Sequence, residues 1–161
     1  MICSDKEFAS VLGIYEFRTH VAYNTYSFRA LKTIFKGYVP QELEDASFEP
    51  IETCRRIERT PRDLDLDFIH LGCRAHSREI LDEMARRNMR PIMETEFLSF
   101  VFTYWHVPLL FKLVALGSYV RLDGESHALH AYTTDGEHCS LFLVDYDGPF
   151  DATCRFPAVP I

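Results

Sequence analysis

The chain predicts an α+β fold, and three observations lead there. Its last third carries short strand-like runs separated by Asp-Gly pairs at 123–124, 135–136 and 147–148. Glycine supplies the positive φ that a tight reversal requires, so each pair marks a hairpin turn. Its middle carries two helical patterns joined by an Arg90-Pro91 link that no helix crosses. Its composition is globular, with 47% hydrophobic and 14% aromatic residues over 161 positions. A chain of this length buries about two-thirds of the surface its unfolded form exposes. One domain over 1–161 is therefore expected, with 1–61 as an N-terminal helical and extended segment packed on a 62–161 core. The predicted architecture is an antiparallel β-meander of four C-terminal strands plus one strand from 64–71, packed on two helices.

Ser4 and Glu7 have capping-box spacing and start a short helix that Gly13 ends. Residues 14–26 are rich in aromatic and β-branched types, which predicts a strand. Phe28, Leu31, Ile34 and Phe35 share one face of a helix over 27–36. Residues 40–46 predict a single acidic turn, and 47–61 a connector with two prolines. Leu64, Leu66 and Phe68 alternate with Asp65 and Asp67, as in a strand with one buried face. Ser77 caps a helix to Asn88 whose apolar face is Ile80, Leu81, Met84 and Ala85. Thr95 caps a second helix that is apolar on most sides, which predicts deep burial. Strands follow at 113–122, 128–133, 138–146 and 153–159.

The formal net charge of −7 argues against nucleic acid, whose phosphates need clustered cations. The arginines at 55–62 and 86–90 are interleaved with acids and read as solvated faces. The longest apolar run, 97–116, is broken by His106, Pro108 and Lys112, so no membrane span is expected. The five cysteines form no C-x-x-C pair, which predicts reduced thiols and a cytoplasmic location.

At His70-Leu71-Gly72, Arg90-Pro91, Glu96 to Phe100, Val114 to Ser118 and Arg155 to Val159, the chain resembles a family of small bacterial proteins. The resemblance covers about 63–161. It implies a strand, two helices around an Arg-Pro link and a β-rich tail, and it implies no chemistry. The same plan is similar in outline to C-type-lectin-like domains. The paired cysteines and the calcium loop of the secreted members are missing, so sugar binding is not implied.

Several residue groups are candidates for chemistry. His70, Cys73 and His76 have a spacing that zinc would take, with a fourth ligand from elsewhere. The plainer reading is a strand-end histidine, a small thiol and a helix-start histidine, so no cofactor is expected. His127, His130, His138 and Cys139 lie on successive strands, where a histidine beside a thiol would activate it. Asp145, Asp147 and Asp151 surround a turn and could hold calcium or magnesium, but turn chemistry explains Asp147 without a metal. Glu94 and Glu96 suit a helix start electrostatically. No phosphate loop, nucleophile elbow or metalloprotease motif occurs. Tyr15, Arg18, Tyr23 and Tyr26 form an aromatic and basic group of the kind that makes binding hot spots if exposed; the plainer reading is that the aromatics cover the open face of the C-terminal sheet. The expected function is a non-enzymatic interaction module that takes a protein partner or a second copy of itself through that group. The alternatives are a metal- or thiol-dependent enzyme and a small-ligand site between helices and sheet.

Overall fold

The computed structural model describes residues 17–23 and 28–161. The expected helix at 4–13 lies outside them. In chain order the elements are β1 (Phe17–Val21), α1 (Phe28–Ile34), β2 (Glu49–Pro50), β3 (Arg62–Ile69), α2 (Ser77–Arg86), β4 (Met89–Pro91), α3 (Glu94–Thr103), α4 (Val107–Leu110), β5 (Lys112–Leu122), β6 (Glu125–Tyr132), β7 (Ser140–Asp145) and β8 (Cys154–Pro160). The α+β class expected from sequence is the class found. Among the described residues no helix is long and apolar enough to cross a membrane.

Four apolar residues in a row, Leu113 to Leu116, set the architecture. Successive strand side chains leave on opposite faces. Leu113 and Ala115 enter one core with Leu129, Ala131 and Leu141. Val114 and Leu116 enter another with Ala128, Phe156 and Ala158. Strand β5 is thus buried on both sides, which is why it reads as a continuous run and not an alternation.

The two long helices divide these faces between them. Phe97, Phe100 and Val101 of α3 join the first core, and Ile80 and Met84 of α2 join the second. The expected pair of helices sealing one side of a sheet is therefore replaced by one helix on each face. Strands with two apolar faces need cover on both.

The strand order is β1-β3-β8-β5-β6-β7, with β2 on β5 and β4 on β8. Strands β5, β6 and β7 are a run of antiparallel neighbours, with Asp123 and Gly124 between β5 and β6 at φ of 51° and 83°. The fourth strand does not extend it. Strand β8 returns to the middle, parallel to β5 through Lys112–Cys154 and antiparallel to β3 through Ile69–Phe156. Residues 154–159 of β8 are all buried, and an outer place beside β7 would leave one of their sides open to water.

Helix starts differ by one and two residues from the expected caps. His76, not Ser77, precedes α2, and its backbone N–H donates to the Glu79 carboxylate at 2.8 Å. Met93, not Thr95, precedes α3. Asn88 takes the left-handed conformation expected of it, with φ 56°.

Candidate functional site at the two ends of helix α3

The first turn of α3 is built on a buried ion pair. The short strand β4 is extended because Pro91 excludes a helix, and this turns Arg90 inward. Arg90 donates twice to Glu96, from Nη1 at 2.9 Å and Nη2 at 2.8 Å, with side chains 5% and 0% exposed. Glu96 Oε2 also accepts from the Met93 N–H at 2.7 Å, and Oε1 from the Tyr23 hydroxyl at 2.9 Å. Four donors fill the four acceptor positions of one carboxylate. Arg62 Nη2 donates to the Tyr23 hydroxyl at 3.1 Å and lies 3.8 Å from Glu96 Oε1. Burial opposes the charge on Arg90, but the bonds and charge of Glu96 outweigh it and hold its pKa above the ordinary value. Burial, followed by the Glu96 charge, pushes the Tyr23 hydroxyl up, while Arg62 pulls it down.

Strand β5 closes this end. Gly117 donates to Ile92 O at 2.9 Å, and a Cβ at Gly117 would stand 2.3 Å from that same oxygen. Only glycine allows the two backbones so close. The next residue, Ser118, accepts the Glu94 N–H on its Oγ at 2.9 Å, capping α3 from another element. The Arg90-Pro91, Glu96 and Gly117-Ser118 motifs thus converge on one turn of helix.

Beside that turn lies a groove of about 400 Å³ between α3, α1 and β6. Its apolar lining includes Leu31, Leu43, Phe48, Leu98 and Leu129. Tyr23, Arg59, Glu94 and Thr95 supply the polar lining. Glu94 is 8% exposed; Arg59 Nη1 stands 3.7 Å from its Oε1, and its Oε2 is buried without a hydrogen-bond partner. The Thr95 hydroxyl is likewise buried and unbonded.

The other end of α3 is open. Phe102 and Trp105 are 46% and 56% exposed, and Leu110 is exposed as well. Phe102 and Trp105 stand by a cavity of about 420 Å³ lined also by Phe35, Lys36 and Cys139. Residues after α1 are held against β7 by two bonds, Tyr38 N to Ser140 Oγ at 2.9 Å and Leu141 N to Tyr38 O at 2.8 Å. Gly37 makes that approach feasible, because a Cβ there would meet Cys139 O at 2.2 Å. No family model matches the chain, nor does any curated protein or solved structure. The reading of this surface therefore rests on its own chemistry.

The residue groups proposed from sequence fare differently. Tyr15 and Tyr26 lie outside the described residues. Tyr23 is 7% exposed and belongs to the core, so it is no surface hot spot. Arg18 is exposed but paired with Asp65 at 2.8 Å across β1 and β3. Thus Arg18 and Tyr23 share no surface patch; Tyr23 instead walls the groove.

His70 Nε2 bonds to Ala152 O at 2.8 Å, His76 Nδ1 to Asp147 O at 3.1 Å, and Cys73 is exposed. Among the described residues no three His, Cys, Asp or Glu side chains form a group that could hold a metal, so these three are not brought together as ligands. Asp151 is engaged by Lys112 at 2.7 Å and by Thr153. Asp145 accepts the Asp147 N–H at 3.0 Å, as a turn requires.

His138 Nδ1 is bound to Asp135 at 2.8 Å. Burial pushes the Cys139 thiol up to about 12, the reverse of what a thiolate nucleophile needs. Burial also lowers His130 to about 4, so it is neutral at pH 7. The exposed Trp105 and Phe102 escaped the sequence reading. A helix apolar on most sides predicts deep burial, and that pattern does not single out the side chains left in water.

Proposed function

We propose that the protein is a non-enzymatic cytosolic binding module that captures a protein partner through the aromatic end of α3. The observation that carries this reading is Trp105, more exposed than buried beside an apolar cavity. Tryptophan is enriched among hot-spot residues, and a neighbouring cavity accepts the partner's anchoring side chain. Lys36, Glu137 and His138 supply a polar rim around it. The four described cysteines are free, which suits a reducing compartment. Membership of the small bacterial family, whose motifs meet at the start of α3, belongs to the same reading.

The test is selection of peptides from a displayed library, counter-screened on the double variant Trp105→Ala, Phe102→Ala. Binders with an apolar anchor that lose at least about tenfold in affinity on the variant support the proposal. Binders that hold equally well to the variant overturn it. Light scattering over a dilution series establishes whether a second copy is the partner.

A further inference from the structure

The groove at the start of α3 is a separate site from the aromatic end, and its polar lining is unusual. Tyr23 is committed on both sides, donating to Glu96 and accepting from Arg62, so it offers the groove its ring. Glu94 and Arg59 are not so committed. Their closest atoms are 3.7 Å apart, longer than a hydrogen bond, and Arg59 is 43% exposed. Glu94 keeps a buried oxygen without a donor. A carboxylate held this way favours a cationic N–H donor, and the guanidinium favours a carboxylate. Both line the groove together with Leu31, Leu43, Leu98 and Leu129. The groove volume falls within the roughly 300–1,000 Å³ of small-molecule sites.

We propose that this groove binds an apolar α-amino acid as its zwitterion, the ammonium on Glu94, the carboxylate on Arg59 and the side chain among the leucines. The ligand's opposite charges are joined through one carbon, which matches the short separation of the two protein groups.

Calorimetric titration of the full chain tests this with three probes: L-leucine, 3-methylbutylamine, which lacks the carboxylate, and 4-methylpentanoate, which lacks the amine. Leucine is expected to saturate, with each fragment at least about tenfold weaker. Glu94→Gln is expected to weaken leucine and leave 4-methylpentanoate unchanged. Arg59→Gln, a change at a half-exposed side chain, is expected to weaken leucine and leave the amine unchanged. Circular dichroism establishes that each variant is folded. No saturable binding of leucine at millimolar concentration overturns the proposal, and so does a fragment that binds as tightly as leucine.

Discussion

The two ends of α3 are ten residues apart and obey opposite rules. At the start, a buried carboxylate is taken from water and matched: Glu96 has four donors, and Ser118 caps the Glu94 N–H. At the finish, large apolar side chains stay in water, with Trp105 and Phe102 beside a cavity. Burying matched charges costs desolvation and gains geometry, so such a pair fixes how elements meet more than it adds stability. Leaving aromatics in water has no structural return, which is the reason to look for recognition there. Sequence alone does not separate these ends, since both read as helix.

The contrast breaks most visibly at Glu96. Glu96→Ala leaves Arg90 charged, buried and alone, and a loss of about 3–5 kcal/mol is expected in urea unfolding at pH 7. Replacing both partners, Arg90→Met with Glu96→Leu, should recover most of it, because no orphaned charge remains. Gly117→Ala comes next, at about 2 kcal/mol, since the new methyl must push the Ile92 backbone away.

Tyr23→Phe is expected to cost about 1.5 kcal/mol at neutral pH through one lost bond to a charged group. It also sharpens the comparison through pH. The Tyr23 hydroxyl is raised above 10 in the folded protein, so the folded state keeps its proton longer than the unfolded one. That contribution is complete below pH 10 and is lost as pH rises through the folded value. Stability curves taken above pH 10 should fall less steeply for Tyr23→Phe than for the parent. Smallest is Trp105→Ala, where unfolding should move by no more than about 0.5 kcal/mol because little packing is removed.

How far the sequence reaches is seen element by element. The alternation at 64–68 and the Asp-Gly pairs identify β3 and the strands β5, β6 and β7, because both are local signals. The place of β8 is not local. Pro157 and Pro160 suggest an outer strand, yet Phe68–Pro157 pairing puts that segment inside the sheet. Its mostly apolar content on both faces, from Cys154 to Val159 with Arg155 the exception, is the better guide. Arg90 and Glu96 are visible as motif residues, but their pairing needs the turn of chain at Pro91 and Ile92. Tyr23 has hot-spot chemistry in the sequence but is buried just after β1, and residue type alone does not tell inward from outward.

Trp105 is the single tryptophan of the chain, so its emission reports one position. Acrylamide quenching of that emission in dilute, purified protein is the most direct test that the finish of α3 is an open surface. The structure predicts an indole quenched nearly as fast as free tryptophan, with long-wavelength emission. A blue-shifted, shielded indole in the dilute monomer would contradict it, and the binding surface would have to be sought elsewhere.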